Sequence, residues 1–344
     1  MAVTRSADKK ADDGEKGGGV VVFGVVMFYM VMSVSTTLMN KAAFPRDTFP
    51  FPFTITFFQM AVAVFWLVLL TLLQRIAPSS SFLRLLNVSK TLEWRPADFL
   101  PAAGAAGAFT MMLATGNMCL MFVQVSFYQA AKSQHILCIL LISYFFLGET
   151  HPTKVVLACA GVTLGFGVNA LAEASIYTAV LGQNLQSLVA GCLAGLVSSF
   201  FVALYPLLLN RALGKGTCKW QMSINVNTMS LVWYLPLIMF EVHRGGLIDS
   251  PALSNVNFWV FNFVTATVGF VLNIAAMLQV RYTSPLTHMI VGSFKGAVTS
   301  IIGVLFFDNK MSFQSAVGLA ILIASSFAYS YLNQRPPAPK PKEA

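Results

Sequence analysis

Two lysines stand inside long apolar runs of this chain. Lys295 lies in "GSFKGAVTS" at 292–300, within a run that meets no other charge between Ser284 and Asp308, and Lys132 lies in "FYQAAKSQHIL" at 127–137. An ammonium group inside a bilayer costs about 2.5–3.5 kcal/mol even on insertion scales, so it faces a cavity or a counter-ion. Snorkelling, in which a lysine near a helix end lifts its head group to the interface, is open to Lys132 but not to Lys295, which sits too deep. Fixed cations with no fixed anion beside them are neutralised when an anionic ligand arrives. The simplest such ligand is a phosphate or diphosphate, which an ammonium binds as a point charge.

The elements that must position these lysines follow from composition. Of 344 residues, 56% are apolar and 10% charged, where a soluble domain carries about a quarter charged residues. The solvent for such a chain is lipid, in which a span takes about 20 mostly apolar residues. Ten segments qualify, at 20–40, 52–73, 99–122, 124–147, 154–172, 184–208, 221–240, 258–279, 284–307 and 312–332. Breakers such as "FPRDTFPFP" at 44–52 and "GETHPT" at 148–153 separate them. No Asp or Glu falls inside any of the ten. That argues against proton or sodium coupling, which usually relies on membrane carboxylates, and favours exchange of one anion for another. The first segment lacks a small-residue cleavage site and reads as a permanent span. Residues 1–19 and the Pro-rich 333–344 read as disordered tails on a transporter domain at 20–332.

Basic residues orient the chain, because Lys and Arg accumulate in cytosolic loops. With the amino terminus inside, 16 loop and tail basic residues face the cytosol and four, Lys41, Arg46, Arg244 and Lys310, face the other side. Both tails are then cytosolic, and so is the sequon Asn87-Val88-Ser89. The net charge of +9 is topological and gives no support for nucleic-acid binding. Five cysteines without C-x-x-C spacing give neither a disulfide framework nor a metal site. His135 and His288, one per span, make no metal site either, and no cofactor is implied. No nucleophile and base pattern of an enzyme emerges. Gly161/Gly165 and Gly191/Gly195 are small-xxx-small pairs that let helices approach closely, within the bundle first and across a homodimer second.

A repeat is visible. Residues 117–149 and 273–308 share a plan of Asn, apolar run, tight polar connection, helix with one Lys in its first half, and acidic end. These are spans three to four and eight to nine, so the chain divides into halves at 20–172 and 184–332. Five spans per half make the halves antiparallel, with the substrate held near the midplane. At about 1.5 Å rise per residue, Lys132 lies roughly 12 Å and Lys295 roughly 18 Å from the lumenal ends of their spans, in one central layer. The expected fold is an all-α polytopic membrane protein of ten transmembrane helices in two inverted five-helix repeats.

Positions i, i+4, i+7 and i+11 of a helix form a narrow stripe. The chain offers Tyr29/Ser33/Thr36/Asn40, Tyr128/Lys132/His135/Ile139, Ser223/Asn227/Ser230/Tyr234, Asn262/Ala266/Gly269/Asn273 and His288/Gly292/Lys295/Thr299. Singly, such Ser, Thr and Asn residues hydrogen-bond neighbouring helices, worth about 0.6 kcal/mol each. Together with two lysines, the stripes are expected to line one aqueous cavity. The candidate substrate-binding residues are Lys295, Lys132, Asn227, Gly292, Thr299, His288, Tyr128, Asn225, Asn273 and Ser33.

"TSPLTHMIVGSFKGAVTSIIGVLFF" (283–307), "NMCLMFVQVSFYQAAKSQ" (117–134), "LMNKAAF" with "TFFQM" (38–60) and the Trp-to-"LPL" interval at 220–237 resemble the nucleotide-sugar and triose-phosphate branch of the drug/metabolite transporter superfamily, and within it GDP-fucose transporters most. The resemblance implies a Golgi or ER membrane antiporter that exchanges cytosolic nucleotide sugar for lumenal nucleoside monophosphate by alternating access. It gives Lys295 the sugar-phosphate side and Lys132 the basic position of span four. GDP-sugar carriers of this branch show Phe-Tyr-Asn-Asn in span seven, where the asparagines meet guanine; here the stretch is "INVN" at 224–227. Asn227 matches the second Asn, Val226 replaces the first, and Asn225 replaces the Tyr. Asn225 and Asn227 are about 200° apart on a helix, so they do not share one face. A UDP-sugar carrier, or a sugar-phosphate translocator working against phosphate, stays open as the alternative.

Overall fold

The computed structural model describes residues 19–44, 49–77, 80, 83, 86, 94, 99–148, 150–179, 185–212, 219–283, 285–306 and 311–332. Most of both tails, Asn87 and Cys218 lie outside this set. Among the described residues there are eleven α-helices, one 3-10 turn and no strand. The helices are α1 (Gly19–Ala43), α2 (Pro52–Ile76), α3 (Phe99–Phe122), α4 (Val125–Ser133), α5 (His135–Leu147), α6 (Thr153–Ala179), α7 (Leu185–Ala212), α8 (Lys219–Arg244), α9 (Val256–Tyr282), α10 (Pro285–Phe306) and α11 (Phe313–Leu332). Among the described residues eight of them, α1, α2, α3, α6, α7, α8, α9 and α11, are long and apolar enough to cross a membrane. The outward-facing side chains are large and apolar, as on Phe145, Phe200, Met239 and Leu305, which suits lipid rather than water. The chain is an all-α polytopic membrane protein.

Two expectations change. The stretch 124–147 is not one helix but two, broken at Gln134. The cause lies in a distant helix. The Ser199 hydroxyl donates to the carbonyls of Ala131 at 2.8 Å and Lys132 at 3.2 Å, His135 Nδ1 takes the Lys132 carbonyl at 2.8 Å, and Gln134 Nε2 reaches the Val162 carbonyl at 3.3 Å. Carbonyls engaged sideways leave the helical ladder, and the turn tightens to an i to i+3 bond from Gln134 N to Ala131 O. Such inserted side chains are a recognised cause of helix breaks.

The second change concerns carboxylates. Helices α6 and α8 run past the apolar cores that announced them, and so carry Glu173 and Glu241 within spans Thr153–Ser175 and Trp220–Arg244. Both side chains are buried. The absence of carboxylates holds for the central layer, not for whole helices.

Close packing pairs α3 with α7, α6 with α11, α1 with α9, α8 with both α3 and α2, α2 with α9, and α4 with α10. Small residues make the tightest of these possible. A Cβ on Gly195 would lie 2.8 Å from Ala131 Cβ, and one on Gly165 would lie 2.6 Å from the Leu322 backbone nitrogen. Both glycine pairs read from the sequence are thus used inside the chain, and neither is left for a second copy. The end of the bundle where α1 begins is here called the near end, and the end where α1 finishes the far end.

Candidate substrate cavity

Six helices enclose a cavity of about 620 Å³, within the usual range of small-ligand sites, about 300–1,000 Å³. Its walls are Tyr29 and Thr36 of α1, Met60 and Leu67 of α2, Phe109 and Leu113 of α3, Tyr205 and Asn210 of α7, Met222, Ser223 and Asn227 of α8, and Gly269, Phe270, Asn273 and Met277 of α9. Phe109 and Tyr205 touch each other in its wall, at a centroid distance of 5.2 Å. Toward the far end the lining turns polar. Gln59 Nε2 donates to Asn40 Oδ1 at 3.1 Å, and Asn117 Nδ2 donates to Thr56 Oγ1 at 3.1 Å. These four residues form an amide-rich floor.

Below the floor the far end is closed by two charged side chains. Lys41 Nζ donates to the carbonyls of Leu120 and Val123, both at 2.7 Å. It thereby caps the last turn of α3, whose final carbonyls have no partner within the helix. Glu241 does the converse at the start of α2. Its carboxylate accepts from Phe53 N and Thr54 N at 2.8 Å each and from Thr54 Oγ1 at 2.7 Å, an anion at the positive end of a helix dipole. Phe44, Phe49, Phe51, Ile55, Met121 and Leu247 pack between them. Glu173, fully buried, faces the backbone of Gln124 without closing a hydrogen bond to it.

The two central lysines stand on α4 and α10, two helices that pack against each other. They stand beside the cavity rather than on its wall, with Tyr29 between. Lys295 Nζ donates to Ser33 Oγ at 2.7 Å and to Tyr29 Oη at 3.2 Å, and lies 5.3 Å from the Tyr29 ring centroid. Lys132 Nζ donates to Tyr128 Oη at 3.4 Å and lies 5.5 Å from that ring. Hydroxyls and a ring face thus solvate each ammonium in place of an anion. Cation–π contact adds about 0.5–2 kcal/mol at such distances. These side chains leave the cations held but not neutralised.

The stripes converge only in part. Tyr29, Thr36, Asn40, Ser223, Asn227, Ala266, Gly269 and Asn273 line the cavity. Lys132, Tyr128, Lys295, Ser33, Gly292, Thr299 and Asn225 do not. Thr299 Oγ1 bonds the Lys295 carbonyl of its own helix at 2.7 Å, and Asn225 Oδ1 accepts from Gln221 Nε2 at 3.1 Å, turned away from Asn227. Asn227 Nδ2 rests on the Ser223 carbonyl at 2.8 Å. No neighbouring atom lies within 4 Å of the Gly292 Cβ position. The side chain of His288 is outside the described part of the structure. Among the described residues no cluster of His, Cys, Asp or Glu could hold a metal. Gln59, Asn117, Lys41 and Glu241 belong to the candidate site as well. Lys41 and Gln59 fall in the resembling stretches "LMNKAAF" and "TFFQM", and Asn117 heads the first copy of the repeat as Asn273 heads the second, both lining the cavity.

Comparison with known proteins agrees with this architecture. GDP-fucose transporter 1 of Dictyostelium discoideum is 31% identical over 90% of this chain and 80% of its own. The Golgi GDP-fucose transporter of Drosophila melanogaster is 25% identical over 91% of this chain and 90% of its own. A solved structure only 14% identical superposes with a TM-score of 0.54 over 92% of this chain and 99% of its own, a likeness of fold alone. The model of the Triose-phosphate Transporter family matches residues 20–330, and the chain belongs to that family of transporters.

Proposed function

We propose that this chain carries a nucleotide sugar, GDP-fucose first among them, across the Golgi membrane in exchange for a nucleoside monophosphate. Ten spans in two inverted five-helix repeats, 20–172 and 184–332, would alternate access to the cavity, with both tails in the cytosol. The observation that carries the reading is the cavity itself. It joins an amide floor and aromatic walls, suited to a base and sugar, to two ammonium groups that have no anionic partner among the described residues. A diphosphate supplies that anion. The names of the related proteins favour fucose. Packing favours the inverted repeat: α3 against α7 has its counterpart in α9 against α1, and α8 against α3 in α2 against α9. Arg75, in the last turn of α2, is on the basic side of the charge count, which favours a cytosolic near end.

Counterflow tests the reading. Proteoliposomes preloaded with GMP are expected to take up labelled GDP-fucose and to ignore imposed proton and sodium gradients. Uptake driven by UMP and UDP-sugars would favour the alternative base, which Asn225, turned away from Asn227, leaves room for. Uptake into empty vesicles driven by a gradient would overturn exchange and turn attention to Glu173.

A further inference from the structure

Lys41 has a counterpart at the end of α7. Helix α1 ends in Leu38-Met39-Asn40-Lys41-Ala42 and helix α7 ends in Leu208-Leu209-Asn210-Arg211-Ala212. The partner helices echo each other as well, "NMCLMFVQV" at 117–125 in α3 and α4 against "NIAAMLQV" at 273–280 in α9. Both asparagines of the first pair line the cavity, Asn40 at its floor and Asn210 at its near end. The basic residue beside each meets a different fate. Lys41 caps the carbonyls of Leu120 and Val123. Arg211 is exposed and makes no hydrogen bond or ion pair among the described residues.

We infer that Lys41 and Arg211 are alternating latches. In the present conformation Lys41 ties the end of α1 to the last turn of α3 and closes the far end. In the opposite conformation Arg211 ties the end of α7 to the last turn of α9, at Gln279–Tyr282, and closes the near end. The chemistry is the same in both, a cation on the final carbonyls of a helix, where the dipole is negative. The device rests on the alternating-access reading proposed above but not on the cargo, and its test needs no substrate. One latch must release before the other engages, because α1 and α9 pack along each other, as do α3 and α7.

Hydroxyl-radical footprinting of the full chain in lipid nanodiscs reads both ends through native side chains. Met277 lines the cavity toward the near end, and Met121 lies in the far-end cluster. Lys41→Ala is expected to raise the Met121 to Met277 labelling ratio, on the order of tenfold for the loss of charge-assisted bonds. Arg211→Ala is expected to lower it below the value of the unaltered chain, and the double variant to return toward that value. Lys41→Arg and Arg211→Lys, which keep a cation at each latch, are expected to leave it nearly unchanged. An unchanged ratio in Arg211→Ala, or a shift in the same direction as Lys41→Ala, overturns the inference. Should Lys41→Ala fail to fold, Arg211→Ala still decides. Arg211, exposed and without a hydrogen bond or ion pair among the described residues, is expected to bias the ratio by acting in the opposite conformation.

Discussion

Replacing Lys295 by Met keeps the length and apolar stem of the side chain and removes its charge. In the ligand-free protein the loss is two bonds, to Ser33 Oγ and Tyr29 Oη, and the contact with the Tyr29 ring. Those hydroxyls lie one helical turn apart and can bond each other, while an uncompensated cation leaves the membrane interior. The two effects oppose, so the ligand-free melting temperature is expected to move by no more than about 2–4 °C, the change that about 1 kcal/mol produces in a chain of this size. The ligand-bound protein loses more. A hydrogen bond to a charged group is worth about 1.5–3 kcal/mol, which weakens binding by about 10- to 150-fold. Ligand at 100 times Kd stabilises the unaltered protein by about 2.7 kcal/mol. If Kd rises about 100-fold, the same concentration gives about 0.4 kcal/mol by the same relation. A thermal-shift series with GMP and GDP-fucose measures both quantities. Lys295→Arg is expected to fail too, because a planar guanidinium does not replace a compact ammonium. Full ligand stabilisation and full exchange in Lys295→Met would refute the assignment of this lysine to the phosphate.

Three further outcomes are expected. Gln59→Leu, which removes the amide that bonds Asn40 at the cavity floor, should lower exchange about tenfold or more while the fold persists, since one buried hydrogen bond is worth about 0.5–1.5 kcal/mol to stability; unchanged exchange would remove the floor from the substrate site. Glu241→Gln places amide hydrogens against the N–H groups of Phe53 and Thr54 and discharges the cap of α2, so the melting temperature should fall by a few degrees for a loss of about 1.5–3 kcal/mol, and no fall would show the cap to be incidental. Asn87 should carry no glycan and tags on both tails should be reached only from the cytosol; a glycan there would reverse the orientation.

Hydropathy made the helices legible because lipid imposes one rule on every span. The Tyr29/Ser33 stripe was legible for a related reason, since helical periodicity puts both hydroxyls on one face and Lys295 finds them there. What periodicity does not contain is the partner. The break at Gln134 needs a hydroxyl from Ser199, more than 60 positions along the chain, and nothing local announces it. Glu173 and Glu241 were read as lying beyond their spans because hydropathy ends before the helices do; their backbones continue as long as capping and packing at the far end reward it. The lysines were expected on the cavity wall, yet each turned toward the hydroxyl and ring that solvate it, a choice made by neighbours across the bundle. Asn225 and Asn227 separated as the helical angle requires.

The broken helix at Gln134 also bears on how the chain is assembled. Helix α4 is nine residues long and α5 thirteen, each too short to cross about 30 Å of hydrocarbon alone. The pair must enter the bilayer together, and α4 brings Lys132, Gln129, Ser126 and Ser133 with it. A lysine at mid-helix carries an insertion penalty of about 2.5–3.5 kcal/mol, which the apolar α5 has to outweigh. The hydroxyl that sets the joint comes from Ser199 on α7, which leaves the ribosome later than α6. The part of the chain up to α6 is therefore completed by residues made after it. A nascent chain stopped at Ala179 is expected to hold α4 unanchored and open to quality control until α7 arrives.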